Sequence, residues 1–130
     1  MDMAKKILLV DDDMDFVMPN RVLLEQAGYT VSTASSQKEA SAMIAKEMPD
    51  LAIIDIMLES ADSGFTLAYH IKKAKPDVPI VLVTSVTHDY GLDFDVETDE
   101  ERRWVKGDML IDKPIRFEQL LDDIKRLLKE

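Results

Sequence analysis

Short apolar runs alternate with amphipathic stretches along almost the whole chain. The runs at 5–10, 51–54 and 79–83 are continuous, which is typical of strands buried on both faces of a sheet. The stretch 29–34 alternates between apolar and polar residues and is rich in Thr and Val, and 109–111 is a shorter apolar run. The pattern therefore predicts five strands.

The amphipathic stretches predict four helices, over 14–27, 36–48, 63–74 and 117–129. Gly28 is a C-terminal stop for the first helix, and Pro19 within it predicts a kink or a late start. Ser36 and Glu39 form a capping box at the start of the second helix, which ends before Pro49. The predicted inward residues are Phe16, Leu23, Leu24 and Ala27 in the first helix; Ala40, Met43, Ile44 and Met48 in the second; Leu67, Ala68 and Ile71 in the third; and Phe117, Leu120, Leu121, Ile124, Leu127 and Leu128 in the last.

Strands and helices that alternate in this way predict an α/β fold, a doubly wound parallel sheet of five strands with helices on both faces. Residues 1–130 are expected to form one domain. Residues 85–107 are the least regular part and predict a long loop, with a short helix that starts at the possible capping box of Thr98 and Glu101 and runs through Trp104.

The chain has 130 residues, no cysteine and a net charge of −10. The missing thiols exclude disulfides, thiolate metal sites and cysteine nucleophiles. The acidic excess argues against non-specific binding to nucleic acid or anionic membranes. The first residues do not form a signal peptide, and no apolar stretch approaches the roughly 20 residues of a membrane span. These features predict a soluble, cytoplasmic protein.

Each predicted strand except the second ends beside residues that carry charge or a hydroxyl group. These residues are Asp11, Asp12, Asp55, Thr84, Asp112 and Lys113. Ligands of parallel sheets bind at the carboxyl ends of the strands, so these side chains are expected to converge. Carboxylates that share one pocket need a cation, and their oxygens suit Mg²⁺ or Mn²⁺. The lysine and the hydroxyl would stabilise charge on a transferring phosphoryl group.

Four segments in this order, KILLVDDD, PDLAIIDIML, PIVLVTS and DKP, resemble the receiver domain of two-component response regulators. The resemblance covers nearly the whole chain and implies the flavodoxin-like strand order 2-1-3-4-5. It implies a phosphoacceptor that catalyses only its own phosphorylation and slow dephosphorylation, with a sensor histidine kinase or a phosphotransfer protein as donor. With the chain ending at Glu130, the output is expected to be a conformational change read by another protein, without direct binding of nucleic acid.

The resemblance also assigns roles to single residues. Asp55 matches the phosphoacceptor, and it would hold Mg²⁺ together with Asp12 and the backbone carbonyl of Met57. Asp11 would act on the metal largely through water. Asp13 is predicted to be a helix cap instead.

Thr84 matches the hydroxyl residue that bonds a phosphoryl oxygen and moves on activation. Lys113 matches the lysine that contacts the phosphoryl group, and Pro114 matches a proline that usually follows a cis peptide bond and would aim Lys113 inward. Met57 and Val86 flank the path of the hydrolytic water without a group that could orient it, which predicts an aspartyl phosphate that outlasts seconds in Mg²⁺ buffer.

The chain departs from the family in three places. The loop after Asp55 lacks the usual proline and is one residue longer. Leu110 stands where an aromatic residue usually reports phosphorylation. Tyr90 or Trp104 could substitute for that ring, although ordinary packing or loop anchoring is the favoured interpretation of both. Residues 85–107 are longer and more acidic than usual. These departures leave open a pseudo-receiver, an interaction module that does not use phosphorylation.

A third alternative is a small Mg²⁺-dependent phosphohydrolase with an aspartyl-phosphate intermediate. Such an enzyme usually has a second acid two residues after the nucleophile, and Met57 occupies that position. Slow turnover is therefore expected. Neither His70, predicted at the surface of the third helix, nor His88 has partners that would make it a phosphorelay histidine.

Overall fold

The computed structural model describes residues 4–56, 58, 63–84, 109–113 and 115–129. Within these residues, strands and helices alternate as β1 Lys6–Val10, α1 Met14–Gln26, β2 Thr30–Ala34, α2 Gln37–Lys46, β3 Leu51–Asp55, α3 Ser63–Ala74, β4 Ile80–Thr84, β5 Met109–Asp112 and α4 Phe117–Leu127. The predicted strands are all found, with ends that shift by about one residue. The prediction for residues 85–107 lies outside the described residues.

The five strands form one parallel sheet in the order β2-β1-β3-β4-β5. This confirms the predicted doubly wound fold and its strand order. The register pairs Val10 of β1 with Ala34 of β2 and with Ile54 of β3. The carboxyl ends of the strands consequently lie at the same edge.

Helices cover both faces of the sheet, as predicted. Successive residues of β1 point to opposite sides, so that Leu8 joins one buried cluster and Leu9 joins the other. We call the cluster under α2 and α3 the first core and the cluster under α1 and α4 the second core. Each core is closed by apolar side chains from two helices, which fixes the helices on the sheet.

Helix α1 differs only in part from its predicted inward face, since Phe16 and Leu24 pack against the second core as predicted. Val17 and Leu24 are the buried residues, whereas Leu23 is 37% exposed and Ala27 is also exposed. The helix carries apolar residues on more than one side, and its docking on the second core selects between them. The periodicity of the α1 sequence alone could not predict which side of the helix is buried.

The late start predicted at Pro19 is wrong, because α1 begins at Met14 and runs through this residue. Proline lacks the N–H that would bond to the carbonyl four residues earlier, on Asp15. Both residues are exposed, which leaves that carbonyl open to solvent. The predicted stop is correct, since α1 ends at Gln26 and Gly28 follows with a positive φ of 103°.

The faces predicted for the other helices are confirmed. Ala40, Leu67, Ala68 and Ile71 are buried in the first core, and Leu120 and Ile124 in the second. Ser36 caps α2 by accepting from the Glu39 N–H at 3.1 Å, although α2 ends at Lys46, two residues before its predicted end. His70 is exposed on α3, as expected. None of the helices described is long and apolar enough to cross a membrane.

Candidate functional site

The carboxyl edge of the sheet brings the predicted residues together. Asp11 follows β1 directly, and its backbone N–H donates to the Ala34 carbonyl at 3.0 Å. Lys113 follows β5, and its backbone N–H donates to the Thr84 carbonyl at 2.8 Å. Asp55 is the last residue of β3 and pairs with Val83. Hydrogen bonds that continue the sheet therefore position these residues.

Three carboxylates crowd this edge. Ligand oxygens of Asp11, Asp12 and Asp55 all lie within 4.8 Å of one another. Asp11 is 1% exposed and Asp55 is 8% exposed, whereas Asp12 is open to solvent. Two ionised carboxylates at this separation repel by roughly 3 kcal/mol at an effective dielectric constant of about 20. The cluster is therefore unstable without a positive charge.

Part of that positive charge comes from Lys113. Its ammonium lies 2.8 Å from Asp11 Oδ2 and 4.0 Å from Asp13 Oδ2. Asp11 Oδ1 accepts a hydrogen bond from the Asp13 N–H at 2.9 Å, but Oδ2 is buried and accepts none from the described residues. The Lys113 ammonium is therefore the close ionic partner of this buried oxygen.

The donor set fits a divalent cation. It offers three carboxylates on one edge, and the buried Oδ2 of Asp11 among them accepts no hydrogen bond from the described part of the chain. Hard cations such as Mg²⁺ prefer oxygen ligands of this kind. The Met57 carbonyl, expected to complete the set, lies outside the described residues, as does Pro114.

Thr84 ends β4 at this edge and is 1% exposed. Leu110 of β5, at the position where an aromatic residue was expected, is half-buried and packs against the first core. Asp13 caps α1 as predicted, accepting from the Asp15 N–H at 3.0 Å. The substitutes proposed for the missing ring, Tyr90 and Trp104, lie outside the described residues.

Two residues at the start of α3 support the site. Ser63 is buried, and its Oγ accepts a hydrogen bond from the Leu58 N–H at 3.0 Å. The Gly64 N–H donates to the Ile56 carbonyl at 2.8 Å. Together they tie the backbone just after Asp55 to the helix. The sequence analysis did not assign either residue to the site, and the signal that could have found Ser63 is the preference of serine for helix starts.

Comparison with known proteins identifies this arrangement. A family model described as the response regulator receiver domain matches residues 7–125. The chain belongs to the response regulator receiver family. The receiver is 36% identical over 88 residues to the alkaline phosphatase synthesis transcriptional regulatory protein PhoP of Bacillus subtilis, a match that covers 68% of this chain and 36% of PhoP. It is 31% identical over 84 residues to the response regulator SaeR of Staphylococcus aureus, covering 65% of this chain and 36% of SaeR.

Solved receivers share the whole architecture. A CheY-like receiver domain protein from Methanospirillum hungatei superimposes with a TM-score of 0.80 at 30% identity, covering 98% of this chain and 95% of the other. The receiver domain of NtrX from Brucella abortus superimposes with a TM-score of 0.77 at 29% identity, covering 95% and 98%. The receiver spans about a third of the length of the curated relatives it matches.

Proposed function

We propose that this receiver accepts a phosphoryl group on Asp55, with Mg²⁺ or Mn²⁺ bound beside it, and signals to a partner protein by a change of conformation. The observation that carries the proposal is the cluster of Asp11, Asp12 and Asp55, whose ligand oxygens lie within 4.8 Å of one another. The donor is a sensor histidine kinase or a phosphotransfer protein. A pseudo-receiver does not use phosphorylation, so it would gain nothing from three carboxylates whose negative charges repel one another at this distance.

Asp11, Asp12 and Asp55 are the side chains that would hold the cation, with the Met57 carbonyl as a further ligand. When bound, the cation neutralises the carboxylates and the negative charge of the phosphoryl oxygens. The burial of Asp11 and Asp55 strengthens these interactions, because charges attract more strongly where water is excluded. Asp12 remains exposed, so the cation has a path from solvent.

In the transfer itself, a carboxylate oxygen of Asp55 attacks the phosphorus of a phosphohistidine. The new O–P bond forms as the P–N bond breaks, and the bonding electron pair returns to the imidazole nitrogen of the donor. The product is an acyl phosphate on Asp55. Asp55 is only 8% exposed, which limits the access of competing water.

Lys113 and Thr84 contribute charge and hydrogen bonding to the phosphorylated state. The Thr84 hydroxyl would donate to a phosphoryl oxygen, and the Lys113 ammonium would pair with another. Lys113 rests on Asp11 at 2.8 Å, so phosphorylation requires its ammonium to turn from one anion to the other. Lys113 follows β5, and Asp11 lies just before α1. The movement would therefore transmit the change of charge on Asp55 to the end of β5 and to the start of α1.

The proposal is tested by incubating the protein with Mg²⁺ and acetyl phosphate and following its intact mass. We expect one phosphoryl group to be added to the wild type and none to Asp55→Asn, because the amide is a poor nucleophile. Asp77→Asn, with the same loss of charge in the exposed turn before β4, is the matched control and should label normally.

The same experiment separates the alternatives. Failure to label the wild type, together with no Mg²⁺ binding, would favour the pseudo-receiver and overturn the proposal. Release of many equivalents of phosphate per protein would favour the phosphohydrolase.

A further inference from the structure

The ammonium of Lys113 lies over the ring of Phe16, 4.5 Å from its centroid. It contacts Asp11 Oδ2 at 2.8 Å at the same time, and Asp13 Oδ2 at 4.0 Å. The Lys113 side chain is 15% exposed. One ring and two carboxylates, from the segment that joins β1 to the first turn of α1, therefore surround the cationic end of this lysine.

Hydrogen bonds fix these groups relative to one another. The Asp13 N–H donates to Asp11 Oδ1 at 2.9 Å, and the Phe16 N–H donates to the Asp13 carbonyl at 3.0 Å. The Phe16 ring also packs partly against the second core. The groups that contact the Lys113 ammonium are consequently held together by hydrogen bonds of the segment from Asp11 to Phe16.

A ring of this kind attracts a cation through the negative charge on its face, and the attraction strengthens as the cation loses solvent. The same ammonium neutralises the carboxylate of Asp11 through its Oδ2, and Asp11 is one of the three carboxylates that could hold the divalent cation. The ammonium and the divalent cation therefore compete for one carboxylate, and a contact that holds the ammonium in place favours the metal-free state.

We propose that Phe16 is a positioning residue that holds the Lys113 ammonium on Asp11 and thereby lowers the affinity of the receiver for its divalent cation. The inference rests on the proposed function, since it concerns the same metal site. Phe16 itself contacts neither the metal nor the phosphoryl group. It changes the affinity for the cation only by holding the Lys113 ammonium in place.

The test is a double-mutant cycle in which Mg²⁺ binding is measured by calorimetry at constant ionic strength. We expect Phe16→Leu to bind Mg²⁺ roughly two- to fivefold more tightly than the wild type, the change that corresponds to one partly exposed cation–π contact. Phe16→Tyr keeps the ring and should retain the wild-type affinity. In a Lys113→Met background, where no ammonium remains to be held, Phe16→Leu should leave the affinity unchanged.

Phe117→Leu is the matched control, because Phe117 is also partly buried against the second core. Both Leu variants should lower the free energy of unfolding, but Phe117→Leu should bind Mg²⁺ as the wild type does. An equal gain of affinity in the two Leu variants, or an equal gain from Phe16→Leu in the presence and absence of Lys113, would show that Phe16 acts only through packing and would overturn the inference.

A metal-independent signature comes from nuclear magnetic resonance. In the metal-free protein, the ring current of Phe16 should shift the Lys113 ε protons upfield. This shift should disappear in Phe16→Leu and diminish as Mg²⁺ is added. Ordinary ε-proton shifts in the metal-free wild type would overturn the inference alone, whereas a wild type that neither binds Mg²⁺ nor labels on Asp55 would overturn the proposed function as well.

Discussion

Gly64 brings the first turn of α3 into direct contact with the backbone that carries Asp55. A Cβ atom placed on this glycine would lie 2.2 Å from the Asp55 carbonyl oxygen and 2.5 Å from the Ile56 Cα. Both atoms belong to the backbone at the end of a central strand, which cannot move aside as the tip of a flexible side chain can. The position of Asp55 therefore depends on a neighbour without a side chain.

We expect Gly64→Ala to lower the free energy of unfolding by about 1–3 kcal/mol, the usual cost of overpacking. It should also slow the labelling of Asp55 by acetyl phosphate, because the Asp55 backbone must shift to admit the methyl group. Chemical denaturation and the time course of intact mass measure the two effects.

Gly28→Ala is the control for that experiment. Gly28 has a φ of 103°, but a Cβ atom added to it would meet no atom within 4 Å. Its substitution should cost about 1–2 kcal/mol through backbone strain alone and leave the labelling rate unchanged. Equal labelling rates for Gly64→Ala and Gly28→Ala would contradict the steric explanation.

The location of a site residue was predictable from the sequence where the residue lies at the end of a predicted strand. Asp11, Asp55 and Thr84 lie at or directly after strand ends, so a parallel sheet brings them to one edge. The resting contacts of Lys113 were not predictable, because a long side chain can reach several anions from one backbone position. The burial of Ser63 accompanies a hydrogen bond from the Leu58 N–H to its hydroxyl, a contact that the sequence pattern does not predict.

Helix α4 packs on the sheet through the apolar face that its sequence pattern predicts. Leu120 and Ile124 are 1% and 0% exposed in the second core. Truncating Leu120 to Ala removes packed volume that the sheet cannot refill, and we expect the free energy of unfolding to fall by about 2–5 kcal/mol. Urea denaturation measures this loss.

The control in the same helix is Lys125→Ala, since Lys125 is exposed. Its effect on the free energy of unfolding should stay within about 0.5 kcal/mol. Alanine is at least as good a helix former as leucine or lysine, so a comparable loss in both variants would contradict the conclusion that burial of Leu120 in the second core stabilises α4.

The buried face of a helix was less predictable where apolar residues occupy more than one of its sides. In α1, Met14, Met18 and Val22 are about half exposed, at 53%, 49% and 47%, while Val17 and Leu24 are buried. Hydrophobicity alone does not distinguish these two sets. A buried polar residue is equally hard to predict, as Asp123 of α4 shows, because its burial depends on hydrogen bonds from Gln119 and Arg126.

For the molecule as a whole, the proposed metal site predicts that stability depends on the divalent cation. We expect Mg²⁺ to raise the Tm of the wild type, because a ligand that binds only the folded state stabilises it. Asp12→Asn should remove most of this rise and slightly increase the Tm measured without metal, since one repulsive charge is lost. Thermal unfolding with Mg²⁺ and with a chelator measures both effects.

Asp77→Asn again provides the control, as it changes the net charge equally but lies in the turn before β4. It should retain the full Mg²⁺-dependent rise in Tm. If Asp12→Asn responded to Mg²⁺ as strongly as Asp77→Asn does, the cation would be binding elsewhere on this chain, which has a net charge of −10.

The overall fold was predictable because the patterns of the predicted strands and helices all agree with one architecture, a parallel sheet covered by helices on both faces. The strand order came from the family resemblance, and the structure confirms it. The individual side-chain contacts between the helices and the sheet were not predictable. They depend on the exact position and rotation of each helix on the sheet.

The two cores on opposite sides of the sheet have a consequence for how receivers of this kind diversify. Leu8 and Leu9 are adjacent in the chain yet belong to different cores, so the two layers share a backbone but few packing neighbours. We therefore expect most substitutions in one layer to leave the packing of the other unchanged. At the carboxyl edge, Gly64 of one layer lies against the Asp55 backbone and Phe16 of the other lies against Lys113, so substitutions in either layer are expected to affect the same site there.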